Sequence, residues 1–193
     1  MSKIRCGWVK PENELYLDYH DKEWGVPVHN DKILFEFLVL ESFQAGLSWE
    51  LILKKRENFR KAFANFEVEE VARFQEKKIL ELLNDASIVR NKLKINATIN
   101  NAQKFIAVQE EFGSFDRYIW RFIDGKPIVN KWKTLKQVPA NTALSDKISK
   151  DLKQRGFKFL GTTVVYSHLQ ATGLINDHIV ECFRYEEIIA SQT

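Results

Sequence analysis

Proline, glycine, cysteine and long apolar runs are all scarce in this chain of 193 residues. Four prolines and eight glycines argue against a collagen-like repeat, a low-complexity tail and a long disordered linker. Apolar runs end after a few residues, as residues 33–35 do before Glu36, so no transmembrane helix is expected. The first residues also lack the apolar stretch of a secretory signal. We therefore expect one globular, cytoplasmic domain over residues 1–193.

Neither sign of charge dominates, because 29 Lys and Arg face 26 Asp and Glu and leave a net charge of +3. This excess is too small to indicate a nucleic-acid partner by itself. Basic residues do cluster locally, in residues 53–61 and 90–94, where each cluster is also compatible with a solvated helix face. The two cysteines lie far apart in the sequence, and in a cytoplasmic protein metal binding or simple burial is favoured over a disulfide.

Apolar spacing predicts an all-α fold. Helical stripes occur in residues 31–43, 76–84 and 90–106. Two further helices are predicted, one that begins after Ser145 and ends at Gly156 and one over residues 161–172 that ends at Gly173. The β-prone residues 164–166 lie inside one of these helical stretches, so we predict a helix there. Asn176 or Asp177 would cap the last helix. Residues 128–140 have no regular spacing and form the one plausible seam between two lobes.

Residues 76–106 form a helix, turn, helix pattern that could bind phosphate. Backbone N–H groups at the start of its second helix, with Arg90, Lys92 and Lys94, offer positive charge to an anion. Such a hairpin suits contacts to duplex DNA that do not depend on sequence. A plain helical corner fits these residues equally well.

Glu41 interrupts an apolar stripe, since it follows Phe37 by four residues and Leu38 by three. Burial of an unpaired carboxylate is costly. Either the side chain therefore reaches solvent at the end of the helix, or it faces a polar cavity that uses it.

Aromatic residues and a small-residue turn surround this position in the sequence. Trp8, Tyr16, Tyr19 and Trp24 could wall a pocket for a flat ring or belong to an ordinary core, and a turn over residues 44–49 contains a glycine and ends in a Trp. Aromatic faces around a carboxylate suit a planar cationic ligand.

Two pairs of metal-binding residue types lie in distant parts of the chain. His178 and Cys182 are four residues apart on the predicted last helix, where they would share a face, and Cys6 and His20 offer a second pair. Two cysteines and two histidines match a closed, structural zinc site. Coincidence, with a buried cysteine and a surface histidine, is the alternative for His178 and Cys182 taken alone.

Together these stretches resemble the 3-methyladenine DNA glycosylase I family of bacteria, within the helix-hairpin-helix glycosylase superfamily. The resemblance extends in order over nearly the whole chain and rests on Tyr16 and residues 6–9, 19–21, 23–27, 40–41, 44–49, 53–57, 155–159, 161–163, 173–174 and 176–178. It implies a two-lobed helix-hairpin-helix fold in which Cys6, His20, His178 and Cys182 bind a structural zinc ion. Ser87 stands where such hairpins usually carry glycine.

The resemblance also implies an activity. The enzyme would bind double-stranded alkylated DNA, flip out 3-methyladenine and hydrolyse its N-glycosidic bond, leaving an abasic site without a lyase step. Glu41 would recognise the cationic base, Gly46 and Leu47 would fill the gap that the base leaves, and Arg90 and Lys92 would contact the backbone. The base pocket would be completed by Trp8, Tyr16, Tyr19 and Trp49.

No Asp lies between Asp85 and Asp116, although many enzymes of the superfamily place a catalytic Asp after the hairpin. A base that is already cationic leaves as a neutral molecule, so its departure requires no acid. The resemblance further implies a monomer that works in the cytoplasm on nucleoid DNA and releases free 3-methyladenine.

Two other functions remain compatible with the same residues. A non-catalytic, zinc-stabilised DNA-binding module would share the hairpin and the metal but would not need a pocket at Glu41. A zinc hydrolase would need a coordination position open to water, which four protein ligands would close.

Overall fold

Ten α-helices make up most of residues 3–191, which are the residues that this computed structural model describes. The two residues at each end of the predicted 1–193 domain lie outside the described part. In chain order the helices are α1 (Glu14–Lys22), α2 (Asp31–Gln44), α3 (Trp49–Ala62), α4 (Val68–Ala72), α5 (Glu76–Asn84), α6 (Lys92–Phe112), α7 (Phe115–Trp120), α8 (Ala143–Gln154), α9 (Thr162–Ala171) and α10 (Phe183–Ala190). The mostly helical fold predicted from apolar spacing is confirmed, including the helix over residues 164–166. Among residues 3–191, no helix is both long and apolar enough to cross a membrane.

Polar caps shift two helix starts from their predicted positions. The helix predicted from Arg90 begins at Lys92, because the Asn91 side chain accepts hydrogen bonds from the N–H groups of Leu93 and Lys94, 3.0 and 3.2 Å away. Likewise α8 begins at Ala143, since Thr142 caps it.

The predicted start of the last helix is wrong. Residues 175–176 instead form strand β2 (Ile175–Asn176), which pairs in parallel with β1 (Ile128–Val129) in the region predicted to be irregular. Helix α10 follows only at Phe183. Strands of two residues are too short to show an alternating pattern, so the sequence gives no sign of them.

The main core lies among α2, α3, α6, α7, α8 and α9 and is dominated by aliphatic and phenylalanine side chains. Phe105 of α6 stacks on Phe115, with ring centroids 4.1 Å apart, and packs edge-on against Phe35 of α2 at 5.2 Å. The exposed fraction of all three side chains is zero. Such rings each bury a large apolar area and stabilise the helix packing.

A second cluster, which we call the cysteine cluster, joins segments that are distant in the sequence. Its buried members are Cys6, Tyr19, Trp24, Phe37, Leu53, Ala171 and Cys182. Gly173, at the end of α9, makes this junction possible. A Cβ atom there would lie 2.3 Å from the backbone nitrogen of Pro27, so no other residue fits. The segment before Pro27 can therefore run directly against the end of α9.

Candidate active site

A cavity of about 280 Å³ opens beside the cysteine cluster, between α1, α2 and α9. Every residue predicted for the base pocket lines it, namely Trp8, Tyr16, Tyr19, Glu41 and Trp49. Its size and its mixture of aromatic walls with a few polar groups are typical of a small-molecule site.

Glu41 is buried in the wall of this cavity. Its side chain, in the C-terminal part of α2, is only 4% exposed, and within residues 3–191 its carboxylate makes no hydrogen bond or ion pair. Burial raises the pKa of Glu41 to about 8. The alternative in which the side chain reaches solvent at the helix end is therefore wrong, and Glu41 instead lines the cavity.

A second buried carboxylate on α2 shows the opposite situation. Glu36 is 6% exposed, but its Oε1 accepts hydrogen bonds from the Nε atoms of Arg56 and Arg60 at 2.6 and 3.0 Å. Two arginines thus neutralise the charge of Glu36, whereas Glu41 has no charged partner and faces the cavity.

Aromatic rings form the walls of the cavity around Glu41. Trp8 packs against Tyr16 and Tyr19, with ring centroids 5.8 and 6.1 Å apart, and Tyr19 packs against Trp49 at 5.2 Å. Burial raises the pKa of Tyr19, so its hydroxyl stays protonated at neutral pH. The buried indole N–H of Trp49 has no hydrogen-bond acceptor among the described residues. These walls and this carboxylate can hold a flat, cationic ring.

Two polar residues of the cavity were missed in the sequence. Gln170 of α9 and Asp177, which follows β2, both line the cavity and hydrogen-bond to each other. The sequence predicts a helix cap at Asn176 or Asp177, and the resemblance includes Asp177 without assigning it a role. The spacing of the sequence carries no signal for Gln170.

The turn after α2 exposes an apolar side chain next to the cavity wall. Gly46 has a φ of +80°, and a Cβ atom added there would have no neighbour within 4 Å. Leu47 is 38% exposed. Ser48 then caps α3 through the N–H of Leu51 at 3.2 Å. The turn thus presents Gly46 and Leu47 outward between two helices.

Lys94 ties this turn to α6, which corrects its predicted role. Its Nζ donates hydrogen bonds to the carbonyl oxygens of Phe43 and Ala45 at 2.8 and 2.6 Å, and the residue is 7% exposed. Burial lowers the pKa of Lys94. The ammonium group therefore faces the carbonyl end of α2 and is not available to a phosphate.

The helix, turn, helix pattern of residues 76–106 corresponds to α5, a turn and α6. Arg90 and Lys92 are exposed beside the start of α6. Ser87, where a glycine was expected, does not have a positive φ. Its N–H bonds Asp85 Oδ1 at 2.8 Å and its carbonyl accepts from Lys55 Nζ at 2.8 Å, so the turn forms without a glycine.

The two cysteines and two of the histidines meet beside the cavity. The sulfur and nitrogen atoms of Cys6, His20, His178 and Cys182 all lie within 4.8 Å of one another, and all four side chains are buried. We call these residues the Cys2His2 group. His178 and Cys182 do not share a helix face as predicted, because Cys182 is the N-cap of α10 and His178 lies in the preceding loop.

The geometry of the Cys2His2 group fits a tetrahedral metal ion. Cys182 Sγ lies 3.3 Å from His178 Nδ1 and 3.4 Å from His20 Nε2. Zinc bonds to sulfur and nitrogen of about 2.3 and 2.0 Å would place such atoms about 3.5 Å apart. The remaining ring nitrogens are also held, His20 Nδ1 by Asp21 and His178 Nε2 by the carbonyl of Trp24, at 2.8 and 2.9 Å. These residues could therefore hold a metal ion.

Comparison with known proteins identifies relatives over nearly the full chain. A family model described as methyladenine glycosylase matches residues 8–185. DNA-3-methyladenine glycosylase 1 of Escherichia coli (strain K12) is 48% identical over 181 residues, which cover 94% of this chain and 96% of that protein. The DNA-3-methyladenine glycosylase of Haemophilus influenzae (strain Rd) is 42% identical over 178 residues, or 92% of this chain and 96% of that protein. A solved structure of a 3-methyladenine DNA glycosylase I variant in complex with 3-methyladenine is 38% identical and superposes with a TM-score of 0.91, covering 94% of this chain and 97% of that one.

Proposed function

The chain belongs to the methyladenine glycosylase family, and from this membership we propose that it is a DNA repair enzyme that excises 3-methyladenine from alkylated DNA. The observation that carries the proposal is the aromatic cavity closed by the buried, unpaired carboxylate of Glu41. A neutral apolar ligand would leave that carboxylate unused, whereas a flat cation matches both the walls and the charge.

Glu41 recognises the cationic base through a change of protonation. With a pKa near 8 in the free enzyme, its carboxyl group holds a proton at neutral pH. An adjacent positive charge stabilises the ionised form. Entry of the flipped, positively charged base therefore releases that proton to solvent, and the base forms an ion pair with the Glu41 carboxylate.

Breaking the glycosidic bond then requires no acid from the protein. The bonding electrons pass to the cationic ring, which leaves as neutral 3-methyladenine, and a water molecule adds to the sugar carbon and loses a proton. The Glu41 carboxylate stabilises the positive charge that develops on the sugar in the transition state. We propose no lyase step, which is consistent with the absence of a lysine among the described residues that line the cavity.

We propose that double-stranded DNA binds to the surface formed by the turn after α2 and by the hairpin of α5 and α6. Gly46 and Leu47 would enter the gap left by the flipped base, while Arg90 and Lys92 would contact phosphates from the hairpin of α5 and α6. Support comes from the exposure of Leu47 and of both basic residues. We propose a two-lobed helix-hairpin-helix domain over residues 1–193 that acts as a monomer in the cytoplasm, on the nucleoid.

The Cys2His2 group is proposed to hold a structural zinc ion. Four protein donors complete a tetrahedron and leave no position for water or substrate, so such an ion would stabilise the fold and take no part in hydrolysis. Its place behind the cavity supports this assignment, since Trp24 packs on His178 and Trp8 packs on His20 at 4.5 and 5.2 Å between ring centroids.

Base release from methylated DNA tests the proposed function. The purified protein is incubated with methylated duplex DNA and the released bases are identified by chromatography. We expect free 3-methyladenine, with a slower single-turnover rate for Glu41→Gln and unchanged release for the matched Glu110→Gln change at the exposed, distant end of α6. Binding of the DNA without release of any base would contradict the proposal and favour a non-catalytic DNA-binding module.

A further inference from the structure

Gln170 and Asp177 line the cavity but have no part in the function derived so far. The Gln170 side chain lies on the cavity side of α9, and its Nε2 donates a hydrogen bond to Asp177 Oδ2 at 2.8 Å. Gln170 is therefore held by a partner that is itself part of the cavity wall.

Asp177 determines which end of the Gln170 amide faces it. The residue is fully buried, and its Oδ1 accepts hydrogen bonds from Asn130 Nδ2 and Trp132 Nε1, both at 2.7 Å. Tyr166 donates its hydroxyl hydrogen to Oδ2. An indole N–H can only donate, and a carboxylate accepts at both of its oxygens, so Asp177 is the acceptor throughout this network. The amide nitrogen of Gln170 must then face Asp177, and its carbonyl oxygen Oε1 is left for a ligand.

A fixed carbonyl oxygen distinguishes purines by the group at carbon 6. Adenine carries an amino group there, which donates hydrogen bonds, whereas guanine and hypoxanthine carry a carbonyl, which only accepts. A second carbonyl opposite Oε1 would leave two buried acceptors without a donor. Glu41 cannot make this distinction alone, because a carboxyl group that gains and loses a proton can donate or accept.

We propose that Gln170 is a specificity-determining residue whose Oε1 accepts a hydrogen bond from the 6-amino group of the flipped base, and that Asp177 is the positioning residue that keeps Oε1 in this orientation. This inference rests on the proposed function, because it concerns the same cavity. It assigns to the cavity a preference for 6-amino over 6-oxo methylpurines.

The test compares two free bases that differ only at carbon 6, 3-methyladenine and 3-methylhypoxanthine. Their dissociation constants are measured by the fluorescence of the tryptophans that line the cavity. Gln170→Met keeps the length of the side chain but removes the amide. We expect it to raise the dissociation constant of 3-methyladenine about tenfold and that of 3-methylhypoxanthine less than about threefold. The matched control is Gln154→Met on the exposed face of α8, which should change neither constant.

Asp177→Asn tests the positioning step. An asparagine can donate as well as accept, so the Gln170 amide can rotate and place either its nitrogen or its oxygen in the cavity. The variant should then bind 3-methylhypoxanthine more tightly, and the ratio of the two dissociation constants should fall. A thermal melt is recorded on the same samples. If this variant does not fold, the Gln170→Met ratio decides alone.

Equal weakening of both bases by Gln170→Met, or no weakening of either, would overturn the inference. Base release by the wild type from methylated DNA is scored separately. A wild type that releases no base overturns the proposed function, while the ratio of the two free-base constants still decides the role of Gln170.

Discussion

The main core and the cysteine cluster bury different kinds of side chain. Around Phe105 the main core is stacked aromatic and aliphatic groups that need no partner except one another. The cysteine cluster contains two thiols, adjoins His20 and His178, and shares Tyr19 and Trp24 with the cavity wall. Apolar packing thus stabilises one region, whereas donor atoms and rings that line the cavity characterise the other. The main core is therefore stabilised by packing alone, whereas the stability of the cysteine cluster also depends on what its donor atoms bind.

The largest loss of stability is expected from a substitution in the cysteine cluster. Cys182→Ala removes one of the four donors and should abolish stoichiometric zinc binding and cost more than about 5 kcal/mol of unfolding free energy, since structural zinc contributes about 10–16 kcal/mol in zinc-finger peptides. Elemental analysis and chemical denaturation measure the two quantities.

His168→Phe is the control for this change, because His168 is a buried histidine outside the Cys2His2 group. Chelator should still destabilise His168→Phe but should have no further effect on Cys182→Ala. Folded wild type that carries no zinc after purification without chelator would contradict the assignment of the metal.

A change in the main core should cost slightly less and leave the metal in place. Phe105→Ala removes a fully buried ring and should lower the unfolding free energy by about 3–5 kcal/mol. Phe159→Ala, at a position that is 42% exposed, should cost less than about 1 kcal/mol. Loss of zinc from folded Phe105→Ala would show that the two regions are not independent.

Two buried glutamates of α2 should respond differently to pH, because Glu36 is paired with arginines and Glu41 has no charged partner. The folded state keeps a proton on Glu41 that the unfolded chain releases near its ordinary pKa of 4.5. The unfolding free energy should therefore fall as the pH rises from about 4.5 to about 8, by at most about 1.4 kcal/mol per unit. Glu41→Gln should remove this fall and be more stable than the wild type at pH 8.

Glu36→Gln should have the opposite effect on stability. It leaves the guanidinium groups of Arg56 and Arg60 without their shared carboxylate and should destabilise the fold by about 2–4 kcal/mol at neutral pH. Denaturation of both variants from pH 5 to pH 8 makes the comparison. Parallel pH profiles for Glu41→Gln and the wild type would mean that Glu41 is ionised in the folded state.

The smallest expected effects lie outside both regions, on the hairpin. Arg90→Ala and Lys92→Ala should leave the melting temperature unchanged, and each should weaken duplex binding and reduce the slope of log affinity against log salt by about 1. Lys77→Ala on the exposed face of α5 is a control of the same charge. If neither change alters the slope, the phosphate contacts lie elsewhere.

The sequence predicts the main core better than the cysteine cluster, for a physical reason. Helical spacing is a local signal, so it identified α2, α6 and α9, and Glu41 stood out because it interrupts such a spacing. The contacts of the cysteine cluster join residues that are distant in the sequence, so they produce no periodic pattern of residue types. Only the residue types of Cys6, His20, His178 and Cys182 pointed to one site.

Local signals also misled where distant contacts override them. Asn176 and Asp177 are good helix caps, yet Asn176 belongs to a two-residue strand and Asp177 accepts hydrogen bonds from α9 and from residues 130 and 132. Lys94 reads as an exposed base in the sequence, but the carbonyl end of α2 provides buried acceptors for it. Neither partner could be known before the fold was.

The contacts that close the cysteine cluster also set an order of events during synthesis. The Phe183 N–H donates to the carbonyl of Ile4 at 2.9 Å, and Cys6 Sγ lies 3.5 Å from His178 Nδ1. A ribosome must therefore make residue 183 before the segment around Cys6 finds its partners. At about 5–20 residues per second, the earliest part of the chain waits on the order of ten seconds or more. Throughout that time the thiol of Cys6 is separated from His178 and Cys182, and the cavity beside these residues is among the last parts of the molecule to form.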